Sequence, residues 1–136
     1  MAAEALARKL RIAAGSRALV LGAPPGYASS LAAAAGAEVD EEAREESNYD
    51  VVQAFVKDRL DVEREAARAL RALKPGGVLW FSYPKTASGV ASELTRDRGW
   101  DVVARAGLRP VSQVSVDEVW SALRFRPGSD VGSGPP

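Results

Sequence analysis

Two lysines stand where an anion site would need them. Lys57 closes the apolar run Tyr49 to Lys57, and Lys85 follows the apolar run Val78 to Tyr83. On adjacent strands, their ammonium groups would share one edge with Ser88, Gly89 and the free N–H groups of the next helix start, a donor set suited to a phosphate or carboxylate. Asp58 and Asp117 offer carboxylates, and Tyr83 a phenol, that could position a reacting group. The rings of Tyr27 and Tyr83 could stack on a base. Each has a plainer and commoner reading. Lysines solvate strand ends; an Asp before Arg59 suits a helix cap; tyrosines pack with a satisfied hydroxyl. Asp97, with Thr95 and Arg96, reads as a cap and a surface ion pair, and Trp80, Trp100 and Trp120 read as packing residues. Composition excludes much else. The chain has no Cys and no His, which removes disulfides, thiolate nucleophiles, imidazole bases and Cys or His metal ligands. No metal site is expected.

The chain has 136 residues, with 18 Lys+Arg against 18 Asp+Glu. That length suits one hydrophobic core. Zero formal charge argues against general nucleic-acid or anionic-membrane binding and leaves room for a local patch. No stretch approaches the roughly 18 apolar residues that span a bilayer. Glu4, Arg8 and Lys9 precede no apolar signal region, so a cytoplasmic location is expected. One domain is expected over residues 1–126. Residues 127–136, rich in Gly, Ser and Pro, are expected to be a disordered tail. The run Asp40 to Glu46 is strongly acidic and reads as a solvated segment.

The elements that would position these residues alternate. A helix is expected over Ala3 to Ala14, stopped by Gly15. Arg17 to Gly22 reads as a buried strand, Tyr27 to Ala35 as an Ala-rich helix ended by Gly36, and Ala37 to Val39 as a short strand. After the strand at Tyr49, Asp61 is expected to cap a helix to Leu73 with Val62, Ala66, Leu70 and Leu73 on one stripe. Lys74-Pro75-Gly76-Gly77 then stops and turns the chain into the Val78 strand. Val90 to Thr95 and Arg98 to Ala106 are expected to be helical. Val111 to Val116 and Trp120 to Arg126 read as a hairpin turning at Asp117 to Val119. This order predicts an α/β fold: a doubly wound, mostly parallel Rossmann-like sheet with a C-terminal antiparallel hairpin.

The chain resembles class I S-adenosylmethionine-dependent methyltransferases. The residues that carry the likeness are Arg17 to Gly22 with the loop Ala23-Pro24-Pro25-Gly26-Tyr27, then Tyr49-Asp50-Val51-Val52, the Leu73-Lys74-Pro75-Gly76-Gly77 turn, and the closing hairpin. The segments Phe81 to Lys85, Leu94 to Asp97 and Trp120 to Phe125 are similar to small uncharacterised bacterial domains of this shape. The resemblance implies that Gly22, Ala23, Gly26 and Tyr27 would line a cofactor site if a ligand binds, with Lys57, Asp58, Lys85 and Ser88 as further anion or ligand candidates.

Three departures shape the functional expectation. Pro24 and Pro25 remove two N–H donors from the glycine loop and stiffen it. Residues 23–49 are too few for two helices and two strands, since one βαβ unit takes about 30 residues. At least one strand-helix pair is therefore expected to be lost or vestigial in the region that, by the resemblance, forms the adenosine side of the pocket, and the acid for a ribose could be Glu38, Asp40 or Glu41. The Asn/Asp-Pro-Pro-Tyr/Phe motif is absent at Phe55-Val56-Lys57-Asp58. The expectation is a non-catalytic binding or regulatory module without a cofactor. The alternative is a small methyltransferase using S-adenosylmethionine. The partner would be an unknown small molecule or protein, and a homo-oligomer through a sheet edge is a third reading. A groove above Gly22 to Gly26 that is open and holds a solute would favour the enzyme, and one filled by the protein's own side chains would count against it.

Overall fold

A computed structural model describes residues 2–44 and 48–128. The expected tail beyond Gly128, and Glu45 and Glu46 of the acidic run, lie outside the described residues. Six strands form one sheet: β1 Arg17–Leu21, β2 Glu38–Asp40, β3 Tyr49–Phe55, β4 Leu73–Pro84, β5 Leu108–Ser115 and β6 Trp120–Pro127, in the order β2-β1-β3-β4-β6-β5. The first four are parallel to one another, and β6 runs antiparallel to both β4 and β5. The mostly parallel α/β sheet with a closing hairpin is the architecture expected above. The chain passes from β2 to β3 through the short stretch 41–48.

Four helices cover the two faces. On one, α1 (Ala2–Lys9) and α2 (Tyr27–Ala35) close a core of Leu10, Val20, Leu31, Phe55 and Trp80. On the other, α3 (Arg59–Ala72) and α4 (Asp101–Arg105) close a core of Leu19, Val52, Val62, Phe81, Trp100 and Phe125. The indole N–H of buried Trp80 donates to the Leu10 carbonyl at 3.0 Å, tying the end of α1 to the middle of the sheet.

Several expected boundaries move. The first helix does not run to Ala14. It ends at Lys9 because Arg11 turns left-handed (φ 66), with Arg11 N–H donating to the Arg8 carbonyl and Ile12 N–H to that of Ala7. This closure normally takes Gly. The α3 helix begins earlier than expected: Asp58, not Asp61, is its N-cap and accepts from the Asp61 N–H at 2.8 Å. Its buried stripe is Val62, Glu65, Ala66, Ala69 and Ala72, whereas Leu70 is exposed. Leu73 pairs with Tyr49 and Val78 with Val51, so β4 begins five residues before the expected strand, and Lys74 to Gly77, expected as a turn, form a bulge within it.

No helix forms over Val90 to Thr95. That stretch is irregular, held by the Ser92 hydroxyl donating to the Lys57 carbonyl at 2.6 Å and by a bridge between Thr95 and Arg98. The following helix spans only Asp101–Arg105, and Asp97 does not cap it; Asp97 pairs with Arg96 at 3.4 Å. Seating Leu94 and Trp100 in the core overrides the local helical pattern, with the Trp100 indole N–H donating to the Thr95 carbonyl. No helix among the described residues is long and apolar enough to cross a membrane.

Candidate functional site

The carboxyl ends of β1, β2 and β3 meet at Gly22. Its backbone is left-handed (φ 68), and a Cβ there would lie 3.2 Å from the Phe55 carbonyl oxygen. Glycine is therefore required by the close passage of β1 past the end of β3. Gly22 is also exposed, and three grooves share it. The first, about 560 Å³, runs from Gly22 between the 41–44 segment and the Glu65, Arg68 and Arg71 side of α3. The second is bordered by Ala23, Asp40, Glu41 and Glu42. The third, about 430 Å³, passes Ala23 and Pro24 to Phe55, Lys57 and Trp120. Among the described residues, no side chain fills the space above the glycine loop.

Each candidate residue has a definite place. Gly26, left-handed at φ 81, stands at the N-cap of α2 without a side-chain cap. Ala23 lies on the groove wall. Tyr27 is half-buried. Its ring meets Phe55 edge-on at 5.0 Å, and its hydroxyl donates to Gln53 Oε1 at 2.8 Å. Gln53 Nε2 in turn donates to Ser82 Oγ at 2.9 Å. Burial holds the Tyr27 phenol far above its ordinary pKa despite the Gln53 contact, and the Asp117 charge adds to the rise. It is a neutral structural phenol.

Lys57 is exposed on the groove, and its backbone N–H donates to Asp61 at 2.9 Å. Lys85 is committed elsewhere. Its ammonium donates to Ser115 Oγ at 2.7 Å and to the Asp117 carbonyl at 2.5 Å, holding the β5–β6 turn. Ser88 Oγ donates to the Lys85 carbonyl at 2.7 Å. The structure thus gathers Gly22, Ala23 and Lys57 around one groove, while Asp58, Lys85 and Ser88 serve cap, hairpin and turn. Asp117 also accepts from the Val119 and Trp120 N–H groups. The Tyr83 hydroxyl donates to Gln113 at 2.6 Å, and burial raises its pKa above the usual phenol value.

The acid expected near the cofactor loop resolves by register. Asp40 ends β2 beside Leu19, three residues short of Gly22. Its carboxylate accepts the Tyr49 hydroxyl at 2.5 Å and pairs with Arg17 at 3.3 Å and Arg44 at 3.7 Å. Glu38 pairs with Arg17 at 3.2 Å. Glu41 and Glu42 are exposed on the groove beside Gly22. Sequence reasoning missed Glu42, Arg68 and Arg71 as groove residues. The pattern of α3 does place Arg68 and Arg71 off the apolar stripe, but only the short β2–β3 passage leaves that flank facing a groove.

No protein-family profile matches the chain, and no curated protein matches it in sequence. Solved structures do match in shape. The Bacillus subtilis M1A22 tRNA methyltransferase TrmK superposes with a TM-score of 0.61 at 9% identity, over 98% of this chain and 69% of that one. A methyltransferase from Thiobacillus denitrificans, in complex with S-adenosyl-L-homocysteine, gives 0.59 at 13% identity over 93% and 90%. The O-methyltransferase NcsB1 of neocarzinostatin biosynthesis, in complex with S-adenosylmethionine, gives 0.63 at 14% identity over 82% and 49%. At such identities the likeness concerns the fold. The chain has the Rossmann-type fold of the class I S-adenosylmethionine-dependent methyltransferases in a truncated form.

Proposed function

We propose that the groove across Gly22 binds a nucleoside-bearing small molecule of the S-adenosylmethionine class, and that the domain acts as a binding or regulatory module. The observation that supports this most is the open groove at the carboxyl ends of β1 and β3, the crevice where open α/β sheets take ligands. The exposed carboxylates of Glu41 and Glu42 are the acceptors placed for ribose hydroxyls, because Asp40 is held by Tyr49, Arg17 and Arg44. The backbone of Gly22 and Ala23 would back the ligand. Pro24 and Pro25 supply no N–H there, so the amino-acid end would be held less firmly.

The polar groups that could assist transfer are otherwise engaged. Asp58 caps α3, the Tyr27 phenol rests on Gln53, the Tyr83 phenol on Gln113, and Lys85 on the hairpin turn. This favours binding without turnover. A small methyltransferase is the second reading, favoured by the same open groove, because methyl transfer relies chiefly on in-line positioning.

Titration calorimetry with S-adenosylmethionine and S-adenosyl-L-homocysteine tests the proposal. Stoichiometric binding is expected, weakened at least tenfold in the double variant Glu41→Gln/Glu42→Gln. Absence of binding to either compound would overturn it. Incorporation of a labelled methyl group into any acceptor from a cell extract would replace the first reading with the second.

A further inference from the structure

The opposite edge of the sheet carries a different chemistry, independent of the Gly22 groove. On the α1 face of the hairpin, Arg109 of β5 lies directly across from Arg126 of β6, and Arg124 follows two residues along β6 on the same face. Arg11, left-handed at the end of α1, is close enough to act electrostatically on Arg124. Arg11, Arg109 and Arg126 are exposed, as is Ser112 opposite Arg124. Elsewhere arginines hold carboxylates: Arg17 with Glu38 and Asp40, Arg64 with Asp61, Arg68 with Glu65. Among the described residues, none of these four guanidinium groups takes part in an ion pair.

Three details indicate that this arrangement works against the stability of the isolated fold. Like charges directly opposite on paired strands repel. Arg11 occupies a backbone conformation in which Gly is the ordinary residue. Arg124 Nε is buried with no hydrogen-bond partner. Burial, then Arg11 and Arg126, pull the Arg124 pKa below its ordinary value. A bound anion relieves all of these charge conflicts at once.

We propose that the row Arg11, Arg124, Arg126 and Arg109 is a docking surface for the phosphodiester backbone of a single-stranded nucleic acid. Residues two apart on a strand repeat about every 6.6 Å. Arg124 and Arg126 follow one another along β6 and Arg109 stands beside Arg126 on β5, so the charges spread along and across one sheet face, which suits a linear polyanion better than one phosphate. The planar guanidinium fork matches phosphate oxygens. An anionic membrane is a poorer fit, because the exposed large apolar side chains Leu60, Leu70 and Val90 belong to α3 and the irregular stretch after β4, so none flanks the row. Zero net charge keeps the attraction local.

Fluorescence anisotropy with a labelled 12-nucleotide oligouridine tests this. Four phosphate contacts imply a slope of about −2.8 in log K against log salt, so affinity should fall roughly 50-fold between 50 and 200 mM salt. Arg126→Gln and Arg11→Gly should each weaken binding severalfold and reduce the slope by about 0.7. Arg11→Gly is the stringent variant: glycine suits that backbone, so its melting temperature should stay level or rise while binding falls. Absence of salt-dependent binding at 50 mM salt, binding indifferent to both variants, or preference for phosphatidylserine vesicles or polyglutamate over the oligonucleotide would each overturn the proposal.

Discussion

The two halves of the sheet are built differently. In the β2-β1-β3 half, the edge strand has three residues and the chain returns to the sheet after a short passage. Polar contacts seal it: the Arg17 guanidinium lies 5.3 Å from the Tyr49 ring centroid and 3.3 Å from Asp40, and Tyr49 bonds to the same carboxylate. In the β4-β6-β5 half, long antiparallel strands carry an aromatic cluster. Trp100 packs within 5.8 Å of Phe81, 5.7 Å of Tyr83 and 5.3 Å of Phe125. The half with the short edge strand borders the grooves at Gly22, and the other half is packed around rings.

The largest effect should come from the half packed around rings. Trp100→Ala removes the centre of the ring cluster and should lower stability by about 3–5 kcal/mol in urea unfolding. A loss below about 1 kcal/mol would mean that the cluster does not carry that half. Tyr49→Phe sharpens the contrast, since Tyr49 is fully buried. It removes one hydroxyl and leaves Asp40 with its arginines, so the expected cost is about 1 kcal/mol. A cost equal to that of Trp100→Ala would put the polar seal on a par with the aromatic core.

The smallest effect concerns pH. Asp50 accepts the Arg17 N–H at 2.9 Å and the Lys74 ammonium at 3.1 Å. The backbone bond from Arg17 lowers its pKa in the fold most; burial opposes it, and Lys74 adds to the lowering. Its contribution is present above the unfolded value of about 3.9 and is lost as pH falls through the lower folded value. Asp50→Asn should therefore flatten the melting-temperature profile below about pH 4 and leave the pH 5–7 region parallel to wild type. The side chain is 39% exposed, so the difference should be small. An unchanged acid limb would show that this contact adds nothing.

Gly and Pro punctuation made much of the fold legible. Gly36 does end α2, and Lys74 to Gly77 do break the pairing with β3 ahead of Val78. The apolar runs at Leu19, Val52 and Phe81 are the central strands. The misreadings share a physical cause, in that long-range contacts replaced local signals. Arg11 closes α1 where Gly15 was expected, because Leu10 is drawn under Trp80. Leu94 and Trp100 anchor a stretch whose composition suits a helix. Of the residues lining the groove, Gly22, Ala23 and Lys57 were legible in the sequence. The availability of Glu41 over Asp40 depends on strand register and on the reach of Tyr49, and neither is written in local spacing.

The bond from Trp80 to the Leu10 carbonyl also has a consequence in time. During synthesis Leu10, at the end of α1, is made 70 residues before Trp80, and the docking surface of the helix is completed only when the middle of β4 is in place. Until then its apolar face has no permanent partner, and a chain halted before residue 80 would display it. Completion of β4 is thus the step at which α1 ceases to be an exposed segment.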